Sequence, residues 1–172
     1  MNRYLVLCLF LFTAVSLFAG DGFDNMFIGA GPEVNANTRE GAAFGGSLSF
    51  GADFYKQFSA GLKIIFSHNI GNIFTVEPLA FFRYYLPLPI KGFFLQADIG
   101  AAVFIEESIA YPAVSAGAAA GWRFKITEMF CMEPYIRGGY PFIWGVGVNA
   151  VILLPRLKRV REGNNEQESK DD

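Results

Sequence analysis

A chain of 172 residues with 52% hydrophobic and 17% charged residues is greasier than a typical soluble domain, and its length fits one domain. A formal net charge of −2 offers no electrostatic footprint for nucleic acid, which excludes that class of partner. No run after residue 20 approaches the roughly 20 consecutive apolar residues of a spanning helix, so a bundle of membrane helices is excluded too.

The chain opens on MNRYLVLCLFLFTAVSLFAG. Arg3 supplies a positive start, Leu5 to Leu17 an apolar run, and Ala19 a small residue at the cleavage edge, so residues 1–19 read as a secretory signal. The run is short for a first transmembrane helix. Cys8, behind the bulky Leu7, does not suit lipid attachment, and Cys131 is then the one cysteine of the exported chain. A single thiol makes no internal disulfide.

From residue 23 onward, short segments of period two alternate with turn signals. They lie near Met26–Asn35, Ala43–Phe54, Phe58–Ser67, Phe74–Leu86, Phe93–Ile105, Val114–Ile126, Phe130–Gly139 and Trp144–Leu154. Most are close to the about 9–11 residues with which a tilted strand crosses a bilayer. One face is wholly apolar, running from Leu48 and Phe50 through Leu62, Ile64, Phe82, Leu95, Ile99, Trp122 and Ile136 to Trp144 and Ile152. Ten strand charges fall on the other register: Glu33, Asp53, Lys63, Glu77, Arg83, Asp98, Arg123, Lys125, Glu133 and Arg137.

Such a face suits two architectures. A soluble exported barrel would turn it inward onto a lipid-like ligand; a membrane barrel turns it to lipid. The aromatics favour the second. Phe54-Tyr55-Lys56-Gln57-Phe58 brackets one turn, Tyr84 and Tyr85 face Phe93 and Phe94 across the second, and Trp122 and Phe124 face Phe130 across the third. Rings at one level on successive hairpins make an interfacial girdle, whereas a soluble core concentrates its rings mid-strand. The expectation is therefore an all-β fold: an eight-stranded antiparallel up-and-down transmembrane β-barrel over residues 20–154. It would sit in the outer membrane of a diderm bacterium, its even strand count leaving both mature termini periplasmic. Outer-membrane lipid and the barrel-insertion machinery are the partners such a chain requires. Pro78 and Pro134 fall inside strands, where a closed barrel has no edge to shelter a missing N–H, so a bulge is expected at each.

Inside an eight-stranded barrel there is just room for side chains. Lys63, Glu77, Arg83, Asp98, Arg123, Glu133 and Arg137 are the candidate lumen network. Matched signs suggest either ion pairs that plug the lumen or a charged constriction that selects a solute, because isolated charges there are expensive. Residue sizes favour the plug. Small Gly145, Gly147, Gly29, Gly31, Ser47, Ser49 and Gly51 lie roughly across from Glu77, Leu79, Phe81 and Arg83.

A catalytic role is not expected. The one histidine, His68, adjoins Ser67 on a strand, so the two side chains point to opposite faces and make no nucleophile–base pair. One histidine and one exported cysteine make a transition-metal site improbable, and GAGP and GVGVNA lack the helix that a phosphate cradle needs, so no cofactor is expected. Residues 155–172, PRLKRVREGNNEQESKDD, start basic and end acidic without core-forming residues; they read as a disordered periplasmic tail whose first half could touch anionic headgroups.

The segments EPLAFFRYYLPL (77–88), GAAAGWRFKI (117–126) and EPYIRGGYPFIWGVGV (133–148) resemble those of the small eight-stranded outer-membrane barrels, most of all OmpW-type proteins as found in spirochaetes. The resemblance implies passage of small hydrophobic molecules through a narrow barrel with a sideways opening. Two features depart from it: a charged inner face, and a final strand followed by a charged tail where the usual insertion signal ends in an aromatic residue. Three functions are carried forward: passage of small, hydrophobic solutes, which leads on the resemblance; a structural or surface-interaction barrel with a salt-bridge-plugged lumen and no flux; and a soluble exported lipid-binding barrel.

Overall fold

Each of the eight alternating segments forms a strand in the computed structural model, which describes residues 23–37, 41–87, 92–107 and 109–155. The strands are β1 Phe23–Asn37, β2 Gly41–Phe54, β3 Phe58–Asn69, β4 Phe74–Tyr85, β5 Phe93–Glu106, β6 Ile109–Trp122, the two-residue β7 Phe124–Lys125, β8 Phe130–Tyr140 and β9 Trp144–Pro155. β7 continues β6 after a break at Arg123, so the nine elements make eight staves. The last strand runs one residue past the expected end at Leu154. The signal segment 1–19 and the tail from residue 156 lie outside the described residues.

Sequential strands pair antiparallel, β1 pairs with β9, and β6 with β8, which closes the sheet. Stepping straight across the ladders from Met26 leads through Ala52, Ala60, Phe82, Ala97, Ala118, Gly138 and Trp144 back to β1 at Ala36. The path returns ten residues further along β1, from 26 to 36, and that offset is the shear of the barrel. Staggered closure of eight staves tilts them by about 35–45° and leaves an interior that side chains can fill.

The expected bulges at Pro78 and Pro134 are absent. Val76 faces Val103 and Leu79 faces Gly100, three residues on along both strands, so the register passes Pro78 unchanged. Gly121 faces Tyr135 and Phe124 faces Met132, again three against three across Pro134. Pro32 does the same between Ala30–Ala150 and Glu33–Gly147. Each proline leaves a short gap in one ladder while the strand on its other side stays paired. A missing N–H is tolerated without an extra residue, and the gap at Pro134 is what divides β6 from β7. The bulge that does occur is at the start of β1, between Phe23 and Asn25.

Exposure follows the membrane pattern. Leu48 and Phe82 are each 49% exposed and Ile99 66%, while Glu33, Glu77 and Glu133 are at most 1% exposed. Apolar outside and charged inside is the reverse of a soluble barrel, and it removes that alternative. At the end where both described termini lie, Phe54, Phe58, Phe82 and Tyr84 form a chain of ring contacts 5.3–6.3 Å apart. Phe93, Trp122 and Phe124 continue it at 5.6 and 6.0 Å. This is the girdle expected from the turns.

Cys131 is fully buried, packed with Phe27, Phe81 and Val151. A buried thiol is inert. Maleimide should label Cys131 only after unfolding; labelling of the folded barrel at the rate of a free thiol would place β8 differently.

Candidate functional site

The inner face is built by the odd-numbered residues of most strands and the even-numbered ones of β5, because period two sends alternate side chains to one side. Large inner residues sit on small ones. A methyl at Gly61 would stand 2.7 Å from Phe81 Cζ, one at Gly121 2.5 Å from Phe94 Cζ, and one at Gly147 2.6 Å from the Tyr135 hydroxyl. Of the expected opposition, Gly51 against Phe81 is met, a methyl there standing 3.0 Å from Phe81 Cζ; Gly61 and Gly121 join the small side, and Tyr135 and Phe94 the large.

The charges condense into two clusters. In the half towards the loops, Glu33 is the hub: Lys63 Nζ lies 3.0 Å from Oε2 and Arg137 Nη1 2.9 Å from Oε1, while the Tyr135 hydroxyl donates to the same carboxylate. Arg137 Nη2 continues to Glu77 Oε2 at 3.1 Å, which also accepts from Ser115 Oγ at 3.0 Å. Lys63 donates to the Tyr135 hydroxyl at 3.0 Å, and Ser47 Oγ donates to Asn149 at 2.9 Å. In the half towards the termini, Glu133 is the hub, held by Arg83 Nη1 at 3.0 Å and by Arg123 Nε. Arg123 Nη1 reaches Asp53 Oδ2 at 2.8 Å, and Asp53 accepts from Ser59.

Both lower guanidiniums lie against rings, Arg83 4.0 Å from the centre of Phe94 and Arg123 4.9 Å from those of Phe27 and Tyr85. Such contacts favour a desolvated cation. Gln96 links Arg83 to Asp98, accepting from Arg83 Nε at 2.9 Å and donating to Asp98 at 2.7 Å. Asp98 thus joins the network through an amide rather than by a direct ion pair among the described residues.

The seven candidate residues divide between the clusters: Lys63, Glu77 and Arg137 towards the loops, Arg83, Arg123 and Glu133 towards the termini, with Asp98 joined to the second through Gln96. Glu33 and Asp53, inward by alternation but outside the candidate set, turn out to be members. Charge gave a partial signal: the set without them has four bases and three acids, Glu77, Asp98 and Glu133, which calls for at least one further acid. Lys125 is exposed on β7 and does not enter the lumen, because the stave has reached the rim by then. Ser67 is buried inside and His68 is exposed outside, so they do not meet.

Little space is left. Between the clusters lies a void of about 10 Å³ lined by Lys63, Phe81, Arg83, Phe94, Gln96 and Tyr135, room for about one water. A cup of about 1120 Å³ at the termini end stops at Asp53 and Arg123. At the loop end Phe142, 4% exposed, packs against Phe104 with ring centres 6.3 Å apart. Among the described residues, the two clusters and the Phe104–Phe142 contact thus occupy the lumen at three levels.

No family model matches the chain, and no curated protein does. Among solved structures, the N-terminal β-barrel domain of Pseudomonas aeruginosa OprF is similar over 78% of this chain and all of that domain, with 17% identity and a TM-score of 0.54. Neisserial surface protein A (NspA) is similar over 79% of this chain and 98% of its own, with 12% identity and a TM-score of 0.52. At these identities the likeness is one of fold, and the chain shares the architecture of these small eight-stranded barrels.

Proposed function

We propose that the protein is an outer-membrane barrel, both mature termini periplasmic, which conducts no solute along its axis and acts through the surface that its loop end presents. The observation that supports this is the pair of buried ion-pair clusters, one above the other, with a void of about 10 Å³ between them. Opening a path would strip buried carboxylates and guanidiniums of their partners, which is costly at each step. Surface charges can be rearranged freely; charges this buried cannot.

A second reading keeps the OmpW-type resemblance and its passage of small hydrophobic molecules, but by a sideways route. It is favoured by the seam between β6–β7 and β8, where six pairs and then two are separated by the gap at Pro134. Neither reading requires a cofactor or an enzymatic step.

Flux separates them. The exported chain would be refolded into liposomes, folding verified by heat-modifiable gel mobility, and one small polar and one small hydrophobic solute tested. The plugged barrel should pass neither above the leak of empty liposomes. Passage of the hydrophobic solute alone would support the sideways route, and passage of the polar one would overturn the plug.

A further inference from the structure

We propose that the loop end carries a strand-docking edge, Ile109–Ser115 of β6, which takes an extended apolar segment of another protein whose C-terminal side is basic. This specifies the surface-interaction reading above and rests on it.

A closed barrel has no free edge, yet this one has one above its closed part. β6 pairs with β5 along its whole length, from Ile109 to Trp122, but with β8 only from Ala116 onward. β8 ends at Tyr140, and the following Pro141 and Phe142 are buried where the chain turns inward. Counted from the ring of residues that defines the shear, β6 runs nine residues outward from Ala118 to Ile109, whereas β8 runs two, from Gly138 to Tyr140. Seven residues of β6 therefore have a strand neighbour on one side only, among the described residues. At about 3.3 Å per residue the edge is about 20 Å long.

Proteins usually blunt such an edge with charge, because a row of unpaired amides recruits strands. The sequence here, IAYPAVS, has no charged residue. Its one protective residue is Pro112, whose pair with Val103 belongs to an unbroken β5 ladder, unlike the gapped ladders at Pro78 and Pro134, so its missing N–H falls on the free side. Alternation then leaves the Ala110 and Val114 amides, with the carbonyls of Ala110, Pro112 and Val114, facing outward. Ile109, Tyr111 and Val114 are 56%, 52% and 69% exposed, so both faces of the edge are apolar. An added strand satisfies the backbone groups and covers those side chains at once.

Direction and charge identify the partner. β6 runs away from the hairpin tip, where Glu106 and Glu107 are exposed, so an antiparallel partner finishes beside two carboxylates. Basic residues at its C-terminal side complement them. A second copy fits poorly: copies inserted in one membrane all present β6 in the same direction, so they could pair only in parallel, which sets Glu106 and Glu107 of each beside those of the other.

The test is amide exchange on the barrel in lipid nanodiscs, with the synthetic peptide acetyl-TVTVTVKK-amide as probe. Without peptide, the Ala110 and Val114 amides should exchange at least tenfold faster than Ala118 and Ala120, which are paired on both sides. Peptide should slow them about tenfold. Val114→Pro removes one of the two donors without touching the β5 ladder, and should weaken binding by about three- to tenfold. Glu106→Lys with Glu107→Lys should transfer preference to a peptide ending in Glu-Glu. Amides already protected without peptide would mean that lipid or the chain itself covers the edge, and would overturn the proposal. So would exchange unmoved by peptide, or equal binding of the two peptide ends. The wild-type comparison alone decides the edge if a variant fails to fold, and flux from the same preparation tests the plug separately.

Discussion

Arg137→Ala is expected to destabilise the folded barrel by about 3–5 kcal/mol, the loss typical when one member of a buried ion pair is removed. Arg137 bridges Glu33 and Glu77, both at most 1% exposed, and its loss leaves Glu77 with Ser115 as its remaining side-chain partner. Glu33 keeps Lys63 and Tyr135. The damage should therefore centre on Glu77. Adding Glu77→Gln to the alanine variant should restore a substantial part of the loss, because the stranded charge goes with it. Denaturant unfolding in detergent, followed by gel mobility, measures the stability; liposome flux measures the opening. The stability change should be the larger effect. Unchanged unfolding together with a clear gain in flux would make Arg137 a gate rather than a strut, and the plug reading would fall.

The staves were legible because period two is a local property. Glu133, Tyr135 and Arg137 had to share a face once MEPYIRGGY was read as a strand, and all three lie inside. Which acid meets which base was not legible. Glu33 and Arg137 are 104 positions apart, and they touch because closure with a shear of ten brings β1 and β8 to matching heights across β9. Shear is a global quantity that no segment encodes alone. The prolines misled for a related reason: a missing N–H can be absorbed by a bulge or by a gap, and only the neighbouring ladder decides which. Lys125 lies on the same alternation as Arg123, yet period says which way a side chain points and not where the barrel stops. The docking edge was equally hidden, since it depends on β8 ending seven residues short of β6.

Gly45→Ala should also be strongly disruptive, costing about 1–3 kcal/mol or more, because the added methyl forces the backbone beside it to shift. A methyl there would stand 1.7 Å from Phe66 O and 2.7 Å from the Ser67 Cα, both backbone atoms that no rotamer change can move aside. Its neighbour supplies the control. At Gly46 the nearest atom to a methyl is Gly31 O at 3.0 Å, so Gly46→Ala asks for a shift of a few tenths of an ångström. Both substitutions add the same group to the same strand, and unfolding midpoints in detergent compare them directly. Glycine at Gly45 lets β2 and β3 come close enough to coil, which is how a narrow barrel obtains its curvature. The ion pairs depend on that curvature, because Lys63 on β3 must reach Glu33 on β1 across β2. If Gly45→Ala is as mild as Gly46→Ala, the β2–β3 ladder can open at that point, and the clusters would then be held by their own charges rather than by the frame around them.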